Sequence, residues 1–416
     1  MNRRKILIIT SSGGGGLLQA ALAKEQKELD QDPSALIVKR DLLKDWLGKL
    51  IGSFCICQWN NAQRSGNVAK LKWFVERAYI ADIIFWPQIF IKSLRTFFRE
   101  DVDHVIDTQP LATPAILVAL RIFNFVRKKK IILEKVAVDF PTESNTHFFS
   151  PIKKLSKKNR SQLYLITIEP LLKENETEEQ FWQKYCNLSV KDVRYEYVVR
   201  RSFFLWKDVK RDKKPFPLSF QIRNSEEREL IARTLSRGSL KAEFEDESMR
   251  FALAPDHKVV TILLGSQVAG LATLEYIKGF IQRARKNRGP LDLFVFCMEH
   301  RVGQVSLFSR VADLIAQEQD YPSNLSVIPF GLQDDSVIAP LFHRSDITCT
   351  RSGGQTAMEL MCVMHGEIWI HSEMHVKEAA FEDLLKGIPG WEAGTAVYLC
   401  KKLGARIVTP ELIFNG

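Results

Sequence analysis

Residues 347–359 constrain the chain more than any other stretch. A β-branched run, Ile347, Thr348, Cys349 and Thr350, breaks at Arg351 into Ser352, Gly353 and Gly354, and a helical stretch begins at Gln355 and Thr356. This order reads as strand, tight turn and helix start. Ser352 suits the N-cap, and the glycines expose backbone N–H groups where the helix dipole is positive, so an anion such as a diphosphate could dock there. Glu359 falls about one and a half turns into that helix, where its carboxylate could accept two hydrogen bonds from a ribose diol. A nucleotide is the ligand this pattern suggests. An ordinary strand, turn and helix with a solvated Glu359 would use the same residues, so other parts of the chain have to separate the two readings.

The same unit recurs. Residues 5–10 are apolar and β-branched, 11–16 form a polar turn ending in Gly13, Gly14, Gly15 and Gly16, and 17–27 are helical in pattern. The glycines lack the G-x-G-x-x-G spacing and acidic ribose partner of a dinucleotide fingerprint; they predict close approach to a ligand without naming it. Later, the strand pattern 259–264 breaks into Gly265, Ser266 and Gln267 and leads to a helix over 271–283. Further strands are expected at 35–38, 105–107, 131–133, 136–139 and 163–167, then at 291–298, 325–329, 346–350, 367–371 and 405–408. Apolar strands alternating with helices are the signature of parallel sheets covered on both faces. A chain of 416 residues exceeds one ordinary core. Its texture turns charged and irregular from Asn187 through 207–214 and Pro215. The expected fold is therefore α/β, with two doubly wound Rossmann-like domains, 1–197 and 198–416. The turns at Gly13, Gly265, Phe330 and Ser352 would open on one interdomain cleft.

Composition narrows the partners. The net charge of +10 favours an anionic one. The basic clusters Arg127 to Lys130 and Lys153 to Arg160 come without zinc spacing, a helix-turn-helix or a ribonucleoprotein signature, which argues against nucleic acid. Seven cysteines form an odd set without metal spacing and read as reduced thiols. No apolar stretch reaches the roughly 18 residues a spanning helix needs, and the apolar run after Arg3, Arg4 and Lys5 is too short for a signal peptide. The expected place is the cytoplasm, with a peripheral contact to a membrane. That contact would be the aromatic and aliphatic run 71–99, interrupted by Pro87, with Trp86 at its centre and Lys92, Arg95 and Arg99 beside it. It reads either as an interfacial helix among anionic head groups or as a pair of core helices.

Three segments carry a family resemblance. Gly265-Ser266-Gln267 after a strand, Arg351 to Glu359, and the segment from Pro389 through Trp391 and Glu392 to Ala396 are similar to glycosyltransferase family 28. That family includes the peptidoglycan lipid-linked UDP-N-acetylglucosamine transferase and the monogalactosyldiacylglycerol synthases. More loosely, the glycine loop, 41–46, 107–110, Val138-Asp139-Phe140 with His147, and 199–203 resemble the synthase branch. The resemblance implies the two-domain GT-B fold. It also implies inverting, metal-independent transfer of a hexose from a UDP-sugar, with no cofactor, to a membrane lipid or lipid-linked acceptor held on the N-terminal side. By the same resemblance the donor would be held by Gly265, Ser266, Gln267, Arg351, Ser352, Gly353, Gly354, Gln355 and Thr356. Glu359 would take the ribose hydroxyls, the backbone of Phe330, Gly331 and Leu332 the uracil edge, and Trp391 with Glu392 the sugar or its phosphates. Gly13 to Gly16 would face the acceptor and diphosphate.

The chain departs from the family where a His usually follows the first glycine loop: Leu17 and Leu18 stand there. Asp139, at an expected strand end, and then His147 are the candidate general bases. Trp391 and Thr395 replace the family's usual Gln and Asn, which leaves the donor sugar open. The family also adds a closing helix after the last strand, whereas Gly416 follows 405–408 closely. A UDP-sugar epimerase or hydrolase of GT-B architecture, and a catalytically silent nucleotide-sugar-binding protein, are the alternatives.

Overall fold

A computed structural model describes residues 3–145, 148–211, 214–374 and 379–414. Six strands, β1 (Lys5–Thr10), β2 (Leu36–Asp41), β3 (His104–Asp107), β4 (Leu133–Val136), β5 (Leu163–Thr167) and β6 (Val193–Tyr195), form one sheet in the order β2-β1-β3-β4-β5-β6. A small antiparallel sheet follows, β7 (Phe216–Gln221), β8 (Ala242–Phe244) and β9 (Ser248–Leu253), ordered β7-β9-β8. The last six, β10 (Lys258–Leu263), β11 (Leu291–Phe296), β12 (Leu325–Phe330), β13 (Ile347–Thr350), β14 (Glu367–His371) and β15 (Arg406–Val408), run β12-β11-β10-β13-β14-β15. Both six-stranded sheets are parallel throughout. Parallel neighbours need crossover connections, and helices supply them on the sheet faces, which is why strands such as β11 and β12 are buried along their whole length. The architecture is two doubly wound domains in the GT-B arrangement.

The order of the second sheet reverses between β10 and β13, and that of the first between β1 and β3. Ligand crevices in such sheets lie beyond the carboxyl ends of the strands at these reversals. The sequence therefore places Gly265 to Gln267 and Arg351 to Gly354 at one reversal, and the glycine loop at the other.

Several expectations change in detail. The two strands expected at 131–133 and 136–139 are one, β4, and its centre is charged. Glu134 is 3% exposed and Lys135 fully buried, both paired: Lys135 Nζ lies 2.7 Å from Asp107 Oδ2, and Glu134 meets Lys24 and accepts from Tyr164 Oη at 2.6 Å. Pro87 starts the helix Trp86–Glu100 instead of interrupting one, because its missing N–H is no loss in a first turn. The run 71–99 belongs to an insertion between β2 and β3 built of helices Lys49–Arg64, Val68–Glu76, Ala78–Ile84 and Trp86–Glu100. It is both core and surface: Ile89 and Phe97 are buried and Trp86 stacks on Phe90, while Leu50, Phe54, Ile83, Ile84 and Ile91 face outward. A helix, Pro410–Phe414, follows β15, and Phe414 packs edge-on against Phe280. Among the described residues no helix is long and apolar enough to cross a membrane.

At the amino ends of β3 and β4, Glu28, His104 and Glu134 bring ligand-type atoms within 4.8 Å of one another. The buried Lys24 ammonium on Glu134 and Arg4 on Glu28 (3.0 Å) already neutralise the carboxylates. Desolvation would raise Glu134, but His104 and Lys24 overcome it and hold the carboxyl at about 2. Its folded value is thus depressed below the ordinary 4.5. The stability it contributes is complete above the unfolded value and is lost as pH falls through the folded one. Glu134→Gln should cost on the order of 3 kcal/mol in urea unfolding at pH 7, because the buried Lys24 keeps only the longer pairing with Glu196 at 3.4 Å. It should also flatten the acid loss of stability between about pH 4.5 and 2. A variant as stable as the wild type at both ends would show the network to be energetically neutral.

Candidate active site between the two sheets

The two reversals face each other. A Cβ on Gly15, at the start of the helix Gly15–Gln31, would lie 2.8 Å from Ser266 Oγ, and one on Gly16 3.3 Å from Gln355 Cβ and 3.6 Å from Val138 Cγ1. Gly354 comes closest: a methyl group there would run into the carbonyl of Val138 and lie 3.0 Å from Asp139 Cα. One locus therefore collects the glycine loop, the residues just past β4, the Gly265 turn and the Ser352 turn. Gly265 adopts φ +83°, a left-handed turn that a side chain would strain.

Ser352 is not the N-cap. The helix Gly354–Val363 starts from Gly353, whose cap has no side-chain hydrogen bond, and Ser352 sits one residue earlier with its hydroxyl turned inward. Ser352 Oγ is buried and finds no hydrogen-bond partner among the described residues. The turn thus presents an uncommitted hydroxyl next to the uncommitted N–H groups of a helix start, a combination suited to anionic oxygen.

Charged groups surround this turn. Arg351 donates to the carbonyl of Gln63 at 3.0 Å and pairs with Glu373. Burial would raise Glu373, but His371 and Arg351 hold it down at about 2. Burial pushes Glu392 up to about 7; Arg351 pulls against this, and the carboxylates of Asp139 and Glu373 add to it. Asp139, three residues beyond β4 and 9% exposed, therefore lies within the field of Glu392 across the interface. His147, the second candidate base, lies outside the described residues.

Glu359 is not a solvated helix residue. Gln355 Nε2 donates to it at 3.1 Å and, at 3.1 Å, to the carbonyl of Val198 in the segment joining the sheets. Burial pushes Glu359 up to about 8, Gln355 opposes this, Asp335 adds to it and Arg200 subtracts. Thr356 follows on the same helix, half-buried.

Phe330, Gly331 and Leu332 stand apart from this locus. Phe330 ends β12 and the other two follow it, three strands from β13, or roughly 14 Å at the usual spacing. The ring of Phe330 is buried against Phe220 and Phe296, its carbonyl accepts from Cys297 N at 2.9 Å, and the Leu332 carbonyl accepts from Arg223 at 3.1 Å. Trp391 stacks on Trp59 of the N-terminal insertion with centroids 5.6 Å apart, and Gly394 abuts Thr142. Arg64 Nε donates to Gln267 at 2.7 Å. These contacts close the cleft, and beside Arg351, Glu373 and Glu392 only about 10 Å³ is left, against the several hundred Å³ of a ligand pocket.

Sequence reasoning missed Glu373, His371 and Trp59. His371 ends β14 and Glu373 follows it, so the rule for carboxyl ends of strands would have found both. Nothing in the helical pattern around Trp59 marks a partner so far along the chain.

Solved structures similar to this chain include MurG of Acinetobacter baumannii (12% identity, covering 99% of this chain and 89% of that one, TM-score 0.47). A UDP-GlcNAc 2-epimerase from Neisseria meningitidis bound to UDP-GlcNAc is 10% identical over 99% of this chain and 96% of its own, with a TM-score of 0.40. A glycosyltransferase from Rickettsia africae is 11% identical over 100% and 97%, with a TM-score of 0.40. No protein-family model matches the chain. Nor does any curated protein sequence match it.

The contact at Gly354 yields a direct expectation. Gly354→Ala should destabilise the protein by about 1–3 kcal/mol, because the backbone of Val138 cannot yield as a side-chain tip would. Gly289→Ala, where a Cβ meets nothing within 4 Å, is the control. Equal urea midpoints for the two variants would mean the domains are not held by this contact.

Proposed function

We propose that the protein is an inverting glycosyltransferase that moves a hexose from a UDP-sugar to a membrane lipid or lipid-linked acceptor. The observation that carries this reading is the Ser352 turn, with its buried uncommitted hydroxyl at a helix start, set against Asp139 across the domain interface. In this reading the donor diphosphate sits on the N–H groups of Gly353, Gly354 and Gln355 and on the turn Gly265, Ser266 and Gln267. Arg351 adds a cation, so the charge that develops on the leaving UDP is met by fixed dipoles and a guanidinium, with no metal or cofactor in the scheme. Glu359 accepts the ribose hydroxyls, and the Gly331 backbone faces the base.

An acceptor hydroxyl on the side of Gly13 to Gly16 attacks the anomeric carbon from the face opposite UDP. Asp139 takes the hydroxyl proton as the new C–O bond forms and the bond to the diphosphate oxygen breaks; His147 is the second candidate for that proton. Entry of the donor requires the domains to part where Trp59 stacks on Trp391. The acceptor would reach the site from a membrane that meets Leu50, Phe54, Ile83, Ile84 and Ile91, not from one that meets Trp86, whose ring is engaged with Phe90. A UDP-sugar epimerase or hydrolase is the second reading, favoured by the pairing of Asp139 with a Glu392 whose carboxyl titrates near neutrality.

UDP should raise the melting temperature without added divalent metal. Glu359→Ala should weaken UDP binding by about 2–3 kcal/mol, the scale of charged hydrogen bonds. Because burial lifts Glu359 to about 8, the ionised acceptor form grows as pH rises through that value. UDP affinity of the wild type should therefore increase from pH 7 to pH 9, and that of Glu359→Ala should not. Asp139→Asn should cut transfer to a lipid acceptor by about 100-fold to 10,000-fold and leave UDP binding intact. Release of free sugar or conversion of the donor incubated alone would favour the second reading, and loss of all UDP response would remove both.

A further inference from the structure

A second concavity lies on the N-terminal domain, away from the interface. It encloses about 440 Å³ between the helix Trp86–Glu100 and the turn that follows β2, and is lined by Arg40, Asp45, Trp46, Lys92, Arg95, Thr96 and Arg99. That volume is within the range of small-molecule sites. Lys92, Arg95 and Arg99 follow one another at helical spacing along a single face, and Arg40 approaches from β2.

The charges inside do not balance. Glu100 holds two of the cations, accepting from Arg40 at 3.0 Å and from Arg99 at 2.6 Å. The carboxylate of Asp45 accepts from the backbone of Asp41 at 2.8 Å. The side chains of Lys92 and Arg95 make no hydrogen bond or ion pair among the described residues. Four cations thus face two carboxylates, over a floor made by the buried Trp46 and by Thr96, whose hydroxyl donates to the Lys92 carbonyl at 2.8 Å. A merely solvated cationic helix face would have no opposing wall. Here the wall comes from β2 and its turn, and Asp41 ties that turn to the glycine loop by accepting from Ser12 N at 2.9 Å and from Leu43 N at 2.9 Å. Two exposed apolar residues stand near the lining residues in the chain: Leu50, 90% exposed, follows Trp46 closely, and Ile91, 60% exposed, precedes Lys92.

We infer that this concavity binds a phosphoryl anion, with Lys92 and Arg95 as its direct ligands and Arg40 and Arg99, fixed by Glu100, completing the positive wall. Two sources share that chemistry. One is the phosphate of an anionic lipid headgroup, whose chains would lie over Leu50 and Ile91; the other is a soluble organic phosphate. The site is independent of the donor assignment, since none of its residues belongs to the interface at Ser352.

The test uses the full-length chain and two probes, inorganic pyrophosphate measured by calorimetry and sedimentation with phosphatidylcholine vesicles containing phosphatidic acid. Lys92→Gln with Arg95→Gln is compared with Lys157→Gln plus Lys158→Gln, which removes the same charge from an exposed helix elsewhere. All four side chains are exposed, so unchanged melting temperatures are expected and should be checked first. The pocket pair should lose roughly tenfold or more in affinity for at least one probe, the control pair far less. Loss for pyrophosphate alone assigns a soluble phosphate, loss for vesicles alone assigns a headgroup, and loss for both assigns the shared phosphoryl chemistry. Equal effects of the two pairs, or wild-type protein that binds neither probe, would overturn the inference. UDP binding in the pocket pair should match the wild type, so a failed donor assignment and a failed pocket give different results.

Discussion

The backbone of Gly354 lies so close to the carbonyl group of Val138 that no side chain fits between them. Two doubly wound sheets each end in loops at their own reversal of strand order, and by itself each would present a separate crevice. Contact at Gly354, continued by Gly15 on Ser266 and Gly394 on Thr142, turns the two crevices into one enclosed site. The small residues have a shared physical reason. A helix start can bring its N–H groups against another domain only where Cβ atoms are missing.

Enclosure also sets the electrostatics. Asp139, Glu373, Glu392 and Arg351 come from both sides of the interface and are largely withdrawn from water, and the two glutamates are driven in opposite directions. Glu373 is held near 2 and Glu392 lifted to about 7 by the same neighbourhood. Environments that push neighbouring carboxyls apart in this way separate a fixed anion from a titrating group. The stack of Trp59 on Trp391 and the bond from Arg64 to Gln267 join the helical insertion to the domain of the second six-stranded sheet. The exposed apolar residues Leu50 and Phe54 stand on the same helix as Trp59.

Much of this was legible in the residues. The runs that became β1, β10 and β14 are apolar from Ile6 to Ile9, from Val259 to Leu263 but for Thr261, and from Ile368 to Ile370, and the glycine turns that follow β10 and β13 stand where the sequence puts them. What escaped has definite causes. The run that forms β4 was divided because Glu134 and Lys135 look like surface residues, and only Lys24 and Asp107, distant in the chain, make them core residues. The strands β6 and β8 are three residues long, β9 carries Arg250 and β7 carries Pro217, and their pairing depends on partners no local pattern reveals. Ser352 has the composition of an N-cap, but the close packing at Gly354 moves the cap to Gly353. Trp391 reads as a ligand contact until Trp59 arrives from the insertion to cover it.

The account rests on the Ser352 turn as the place where a nucleotide diphosphate is held. Amide hydrogen exchange of the full-length protein, with and without UDP, addresses this directly, because the N–H groups of a helix start exchange freely until an anion engages them. The account predicts slowed exchange in peptides covering 352–357 and 265–267, with little change in the sheet strands behind them. UDP-dependent protection confined to other regions, or none at these turns at saturating UDP, would contradict it.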